Sequence, residues 1–188
     1  MQTRSHTRIL VECALMIALA SVLSELKFEM PYGGSITIFS AVPILMSSYR
    51  NGTKWGLLTA FTYSLIQLFL GFKNVLYCTT LGAQFGCILL DYVLAFTLLG
   101  LASAISKPFG GKSVRGVVIG TAAVCLGRLF CSFLSGILLW GGYAPEGMPV
   151  WLYSLQYNGL YMIPELVITV IGMLLIRRRL LEGENSAA

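Results

Sequence analysis

Ionisable side chains are rare within the long apolar runs of this chain, and each of them is a candidate for chemistry. Three are acids, Glu12, Asp91 and Glu165, and one is the base Arg128. A charge held among apolar residues at membrane depth costs on the order of 3 kcal/mol unless it is paired or hydrated. These residues therefore indicate ion pairing, proton transfer or the binding of a charged ligand.

Asp91 is the strongest candidate for ligand binding. It lies about two turns inside one end of an apolar run and is followed by Tyr92. A carboxylate at this depth could neutralise a cationic ligand, while Tyr92 adds an aromatic face and a hydroxyl. A buried ion pair with Arg128 is the alternative, and both interpretations stay open because they are compatible. For Glu12, an ion pair with Arg8 on the same helix is favoured, since the two residues are four apart.

A stripe of residues at four-residue spacing begins at Arg128. Ser132, Gly136 and Trp140 share one helix face with it, because residues four apart lie one above the other on a helix. The small residues would let a helix or a ligand approach closely. From the sequence alone, Trp140 is more typical of an anchor at the lipid headgroups than of a ligand contact.

Polar and aromatic side chains are also clustered at the start of the last apolar run. Tyr153 and Tyr157 are one helical turn apart, and Gln156 and Asn158 lie beside them. Such groups are costly in an apolar run unless they are hydrogen-bonded. The cluster indicates either ligand recognition or polar contacts between helices, and the sequence leaves both open.

Catalytic and metal-binding motifs are absent from the sequence. There is no GxSxG, HExxH or P-loop motif, and the one histidine is His6. The five cysteines form no CxxC pair, and four of them fall in apolar runs, which is typical of small packing residues. We therefore expect no enzymatic activity, no metal and no cofactor. Active transport would need an ion gradient or a partner that hydrolyses ATP.

The elements that hold these residues are indicated by composition. Of the 188 residues, 56% are hydrophobic and only 11% are charged, whereas soluble domains carry about 25% charged residues. A solvated globular fold is therefore excluded. Apolar runs separated by Gly, Pro and charges predict an all-α membrane protein, a compact bundle of six transmembrane helices in a single domain over residues 1–188. The predicted spans are 8–26, 36–49, 54–71, 83–105, 115–140 and 151–176.

The basic residues predict the orientation of these spans. Of the 13 lysines and arginines, ten fall on one side of a six-span bundle, Lys27 and Lys73 fall on the other side, and Arg128 lies within a span. Since cytoplasmic loops are enriched in basic residues, both termini are expected in the cytoplasm of a multi-pass protein of the cell membrane. The net charge of +5 then reflects topology and anionic lipid headgroups, with no nucleic acid as partner.

Three segments of this bundle could make contacts outside its core. The predicted outer loops 27–35 and 141–150 are rich in Gly, Pro and aromatic residues, which suits a lid and a plain connector equally. In the first span, Ala14 and Ala18 form a pair of small residues four apart. From the sequence alone, close packing inside the bundle is favoured for this pair over docking of a partner protein.

Four segments, in order along the chain, carry a resemblance to a known family. Together they resemble the substrate-binding S components of energy-coupling factor (ECF) vitamin transporters, in the thiamine-specific, ThiT-type branch. The resemblance covers nearly the whole chain, and four such segments in this order are specific. They are MPYGGS at 30–35, LDY with LAF at 90–96, YAPEGM at 143–148, and LYS with YNG at 152–159.

The resemblance implies a small six-helix protein that captures thiamine from outside the cell. Thiamine has a positively charged thiazolium and a flat aminopyrimidine, so its site needs a carboxylate, stacking aromatic rings and hydrogen-bond partners. The loop that contains Gly33, Gly34 and Ser35 would act as the lid. The implied ligand contacts are the charge of Asp91 with Tyr92 beside it, ring packing on Gly136 and Trp140, the position of Ser132, and hydrogen bonds from Tyr153 and Asn158.

The resemblance also implies partner proteins. The pair Ala14 and Ala18 matches the AxxxA motif of the family, which docks against a transmembrane ECF coupling protein. Two cytoplasmic ATPase subunits would power that protein, and the loaded S component would topple within the membrane to release its cargo.

Two positions depart from the family pattern. Ser132 stands where the family commonly has a ring-stacking histidine, and Gly34 stands where some members carry a tryptophan. The loss of an aromatic contact would weaken thiamine binding by about 1–2 kcal/mol, or indicate a related ligand such as a pyrimidine precursor of thiamine.

Two other classes of function are alternatives. A free-standing proton-coupled carrier would use Asp91 or Glu165 as the group that titrates, and it would transport without an ATPase. An intramembrane enzyme acting on a lipid-linked substrate would use Asp91 and Arg128, but such chemistry calls for a second acid near Asp91, and the sequence has none there.

Overall fold

The computed structural model describes residues 5–30 and 34–185, with side chains as far as Arg178. Within these residues the chain is mostly helical and contains one two-stranded hairpin. A short 3-10 turn at Gly141–Tyr143 precedes the last helix. The main elements are α1 (His6–Glu25), β1 (Lys27–Glu29), β2 (Ser35–Thr37), α2 (Val42–Asn51), α3 (Thr53–Leu70), α4 (Phe72–Leu76), α5 (Leu81–Phe109), α6 (Val114–Leu138) and α7 (Val150–Asn185).

Local sequence explains where several of these helices begin. The hydroxyls of Ser5, Thr80 and Ser113 each accept a hydrogen bond from the backbone N–H three residues later, which satisfies a donor that the first helical turn leaves free. Gly52 separates α2 from α3 and has a φ of 84°, a conformation that glycine adopts at little cost. The two helices it joins pack against each other.

The hairpin, formed by β1 and β2, lies where the second predicted span should begin. The strands are antiparallel, and the N–H of Met30 donates to the carbonyl oxygen of Gly34 at 3.0 Å. The helix predicted over 36–49 therefore starts only at Val42. The preceding residues are rich in β-branched side chains, which favour a strand, and Pro43 favours the first turn of a helix. An apolar run alone does not distinguish these structures.

Helix α5 is irregular along its length. Residues Ile88–Leu94 form a π-helical segment, and Leu98–Leu101 form a 3-10 segment. π-Helical turns are frequent at functional sites because they re-aim the side chains that they carry. Asp91 lies at the middle of the π-helical segment, so the local backbone helps to set the direction of its carboxylate.

The core lies where α2, α3, α5, α6 and α7 meet. Its helices approach closely where one of them has a glycine, as at Gly100, where a Cβ would lie 2.6 Å from the backbone of Leu57. The largest fully buried side chains are Tyr63, Ile44, Leu45, Leu99 and Met173.

Four of the described helices, α1, α5, α6 and α7, are long and apolar enough to cross a membrane. Many large apolar side chains on them are exposed, as contact with lipid requires. The prediction of a helical membrane protein is therefore confirmed. The 10-residue α2 and the 18-residue α3 do not reach the same length and apolarity, and the count of six spans stays a prediction.

Candidate functional site

A cavity of about 660 Å³ lies between the hairpin and the helices α3, α5, α6 and α7. The fold brings all seven residues of the implied ligand contacts to its wall, together with Gly34 and Ser35 of the expected lid. Gly33 lies outside the described residues. The seven are Asp91, Tyr92, Ser132, Gly136, Trp140, Tyr153 and Asn158.

The Asp91 carboxylate is held by neutral donors. Its Oδ2 accepts hydrogen bonds from the hydroxyl of Ser135 at 2.6 Å and from the indole N–H of Trp140 at 3.4 Å. Among the described residues no lysine or arginine pairs with it. An ion pair of Asp91 with Arg128, one of the two interpretations that the sequence left open, is wrong because Arg128 pairs with Glu165. Because these neutral donors bring no opposite charge to Asp91, the carboxylate is available to pair with a cation in the cavity.

The Tyr92 hydroxyl is already engaged by the protein. It donates to the carbonyl oxygen of Gly71 at 2.8 Å and accepts from the side-chain amide of Asn74 at 3.1 Å. A Cβ at Gly71 would lie 2.4 Å from this hydroxyl, so glycine is needed there. These contacts fix the segment between α3 and α4 against α5, and they leave the ring of Tyr92 as the part that can face a ligand.

Aromatic rings form two sides of the cavity. The rings of Trp140 and Tyr143 are 5.9 Å apart, and Tyr157 lies 5.9 Å from Tyr153 and 6.0 Å from Tyr161. The indole of Trp140 points to Asp91, so the headgroup-anchor interpretation that its sequence position favoured is wrong. Flat rings and a carboxylate at the same cavity wall suit an aromatic cation.

Asn158 and Gly136 lie at the contact between α6 and α7. The Asn158 amide donates to the carbonyl oxygens of Ser132 and Ser154, at 3.2 and 3.0 Å, and its side-chain oxygen accepts from the Tyr161 hydroxyl at 3.0 Å. A Cβ at Gly136 would lie 2.1 Å from the Ser154 hydroxyl oxygen. Of the two interpretations of the polar cluster, the structure therefore shows polar contacts between helices for Asn158.

Arg128 pairs with Glu165 across the deep end of the cavity. The distance from Arg128 Nη1 to Glu165 Oε2 is 3.0 Å, and the guanidinium lies 4.6 Å from the ring centre of Phe96. The other carboxylate oxygen of Glu165 accepts a hydrogen bond from the Thr37 hydroxyl on β2. The sequence shows that Arg128 and Glu165 both lie within apolar runs, but nothing in it indicated that they pair with each other.

The hairpin covers part of the cavity through a close glycine contact. Gly34 has a φ of 74°, and a Cβ on it would lie 2.4 Å from the ring of Tyr161. A larger residue would push the hairpin away from α7. This placement supports a lid more than a plain connector.

Helix α1 turns the pair Ala14 and Ala18 outward. Both residues are exposed, whereas Cys13 and Ala20 on the opposite face are buried. The interpretation that this pair packs inside the bundle is therefore wrong. At the same end of the helix, Glu12 forms an ion pair with Arg50 of α2 at 3.0 Å.

Several residues in or beside the cavity carried no signal in the sequence. Ser135 and Thr37 are ordinary helix or strand residues by type and spacing, and they gain a role only through Asp91 and Glu165, which are distant in sequence. Tyr161 lines the cavity and donates to Asn158, one turn earlier on the same helix. Among the described residues, no group of three or more His, Cys, Asp or Glu side chains could hold a metal ion.

Comparison with known proteins identifies the family. A family model described as "Thiamine transporter protein" matches residues 10–183. The chain belongs to this thiamine transporter family. It is 36% identical over 179 residues to the thiamine transporter ThiT of Bacillus subtilis, which covers 89% of this chain and 88% of that protein. It is 28% identical over 189 residues to ThiT of Lacticaseibacillus paracasei, which covers 93% of this chain and 90% of that protein.

A solved structure of ThiT from Listeria monocytogenes has the same fold. It matches with a TM-score of 0.70 at 21% identity and covers 92% of this chain and 94% of that chain. Membership of the thiamine transporter family makes the chain a multi-pass membrane transport protein and not an enzyme. The resemblance found in the sequence and these two predictions are confirmed.

Proposed function

We propose that this chain is a high-affinity thiamine-binding S component. It captures the vitamin from outside the cell and delivers it through an ATP-driven ECF module. The observation that carries the proposal is the Asp91 carboxylate, which lines an aromatic-walled cavity and is held by two neutral donors. The family to which the chain belongs supports the same conclusion.

The cavity matches the two halves of thiamine. The thiazolium carries a fixed positive charge, and Asp91 with the rings of Trp140 and Tyr143 offers a carboxylate and aromatic faces to it. A cation over an aromatic face contributes about 0.5–2 kcal/mol, more when water is excluded. The flat aminopyrimidine can stack on the Tyr153 and Tyr157 rings, which lie on one helix face.

The contacts of Tyr92, Gly136 and Asn158 support a role for them in shaping this site. Tyr92 offers its ring, because its hydroxyl is bonded to Gly71 and Asn74. Gly136 keeps α6 and α7 close, and Asn158 orients Tyr161 while its amide holds Ser132. These three residues would shape the cavity wall on which the ligand rings pack.

The proposed topology has six spans with both termini in the cytoplasm. Helices α2 and α3, joined at Gly52 and packed against each other, would complete the bundle with the four longer helices. The ten-to-two distribution of basic residues supports this orientation. The hairpin and the cavity mouth then face outside.

The proposed partners are an ECF transmembrane coupling protein and two ATPase subunits. The exposed pair Ala14 and Ala18 supports this, because small residues on a lipid-facing helix surface allow another helix to approach closely. Packing of α1 inside the bundle leaves both alanines exposed.

A related ligand is the second candidate, because Ser132 lines the cavity where the family commonly has a histidine. A pyrimidine precursor of thiamine lacks the thiazolium and would need fewer stacking groups. Without a fixed positive charge it would also gain nothing from the carboxylate of Asp91. The presence of this carboxylate therefore favours thiamine as the ligand.

The test is a fluorescence titration of the detergent-purified protein with thiamine and, separately, with its aminopyrimidine half. Trp140 lies in the cavity, so saturable quenching at nanomolar thiamine is expected and should vanish in a Trp140→Phe variant. A response to the pyrimidine alone would change the cargo. No response to either compound would contradict the proposal.

A further inference from the structure

The hairpin is attached to α7 by a polar contact between residues that line the cavity but are not among the implied ligand contacts. Thr37, on β2, donates its hydroxyl to Oε1 of Glu165, and the Ser40 hydroxyl lies 2.5 Å from that of Thr37. Glu165 is only 4% exposed. The hairpin is therefore tied to a carboxylate deep in the bundle.

That carboxylate is held in place by the helices around it. Its second oxygen accepts from Arg128 at 3.0 Å, and the Arg128 guanidinium lies over Phe96. Phe96 packs edge-on against Tyr63, with ring centres 5.5 Å apart. Helices α3, α5, α6 and α7 thus fix the position of the acceptor. The acceptor is the carboxylate of an ion pair, and hydrogen bonds to such a group are stronger than those between neutral groups.

A second contact fixes the same segment to the same face of α7. Phe39 adopts a φ of 60°, rare for a bulky residue, and its ring would lie 2.6 Å from a Cβ at Gly172. Residues seven apart, such as 165 and 172, lie on one helix face. Phe39 is therefore an apolar attachment, and Thr37 is the polar attachment nearer to the cavity.

The two attachments differ in what it takes to break them. Opening at Phe39 would expose a partly buried ring, whereas opening at Thr37 breaks its directional hydrogen bond to Glu165. Beyond Thr37 the hairpin continues to Ser35 and Gly34, which line the cavity. Two contacts therefore limit motion of the covering part: the hydrogen bond from Thr37 to Glu165 and the packing of Gly34 on the ring of Tyr161.

We propose that Glu165, held by Arg128, is a positioning residue that keeps the hairpin closed over the cavity through Thr37. It thereby sets how slowly a bound ligand leaves. This inference rests on the proposed function for the identity of the ligand, but the closing contact itself is made by the protein's own residues. A purely structural ion pair would stabilise the fold without depending on a hydroxyl at position 37.

The first measurement is the dissociation rate of labelled thiamine from the purified full chain during a chase with unlabelled thiamine. Thr37→Val keeps the side-chain shape and removes the donor, so dissociation should be about tenfold faster. Thr37→Ser keeps the donor and should restore the rate. Thr62→Val, the same change outside the cavity on α3, should match the unaltered protein. Equal rates for Thr37→Val and Thr37→Ser would overturn the inference.

The second measurement tests the acceptor. Glu165→Gln alone leaves Arg128 unpaired in the bundle, so the better background is Arg128→Gln with Glu165→Gln, which removes both charges. In that background Thr37→Val should accelerate dissociation by less than about twofold, because the charged acceptor is already lost. The same tenfold effect in both backgrounds would show that Thr37 acts elsewhere.

Amide hydrogen exchange of the hairpin in ligand-free protein separates the two proposals. Thr37→Val should speed exchange over residues 27–30 and 34–37 by about tenfold, and Thr37→Ser should not. Faster exchange without any thiamine binding would leave the closing contact standing and contradict the proposed function. Unchanged exchange in Thr37→Val would contradict the closing contact, whether or not thiamine binds.

Discussion

At the scale of single residues, Glu165 and Asp91 differ in their partners, although both are acids of the cavity wall within apolar helices. Glu165 has its charge neutralised by Arg128, whereas Asp91 receives only neutral hydrogen-bond donors from Ser135 and Trp140. A buried charge without an opposite charge is costly. A cationic ligand would relieve that cost at Asp91, which makes this acid the expected source of affinity.

Asp91→Asn should therefore weaken thiamine binding by about 100-fold, since it removes one partner of a desolvated charge pair. The side chain keeps its size and its bond from Ser135, so the bundle should remain folded. Isothermal calorimetry of the purified variant measures the loss. Glu146→Gln, the same change in an exposed loop, is the matched control. An affinity within about threefold of the unaltered protein for Asp91→Asn would contradict the charge pairing.

Gly136→Ala should destabilise the contact between α6 and α7. The added methyl would lie 2.1 Å from the Ser154 hydroxyl oxygen and 2.8 Å from its Cβ, and forced overpacking of this kind costs about 1–3 kcal/mol. A lower midpoint of thermal unfolding in detergent, together with weaker thiamine binding, is expected.

The control for this change is Gly127→Ala on the same helix. There an added Cβ would meet only the end of the Leu98 side chain, at 3.3 Å, so the unfolding midpoint should change little. Ser154→Gly should partly restore the midpoint of Gly136→Ala, because it removes the Cβ that clashes. Equal midpoints for the two alanine variants would contradict the close packing.

At the scale of elements, α1 differs from the other long helices in its surface. It buries few residues, and Ala14 and Ala18 lie exposed among large apolar side chains such as Leu15 and Leu19. This local depression gives a partner helix room to approach the backbone.

Replacing Ala14 and Ala18 with Leu should abolish thiamine uptake in cells while thiamine binding to the purified chain is retained. The leucines fill the surface that the coupling protein would contact, and they lie away from the cavity. Uptake of labelled thiamine by cells that also express the ECF module is the measurement. Val167→Leu with Ile171→Phe enlarges two exposed residues four apart on α7 and serves as the control. Normal uptake by the alanine variant would exclude α1 as the docking surface.

At the scale of the whole molecule, the chain provides a site but no source of energy. Its sequence has no nucleotide-binding motif. A proton-coupled carrier would use Asp91 or Glu165 as its proton-binding group, and Glu165 is already paired with Arg128 in a salt bridge. Capture and delivery are therefore expected to be separate steps performed by separate proteins.

In proteoliposomes that contain this chain alone, thiamine should bind but should not accumulate, with or without a proton gradient. Accumulation should appear when the ECF module and ATP are added, and vesicles with the module alone provide the background. Uptake by the chain alone under a proton gradient would instead establish a free-standing carrier.

The sequence by itself determined the class of the protein and indicated seven residues that line its cavity. The hydropathy, the basic residues outside the apolar runs and the ordered segments around Asp91 and Tyr153 are local properties. The free energy of placing a residue in a membrane is nearly additive along the chain, so these signals need no knowledge of contacts.

Only the tertiary structure decided the partner of each polar group. It pairs Arg128 with Glu165, turns Trp140 inward to Asp91, and forms a strand at Thr37 where the apolar run predicted a helix. Each of these outcomes depends on which helix faces which, and residues distant in sequence make the contact. The energy of a pair depends on distance and burial in three dimensions, and no spacing along the chain contains that information.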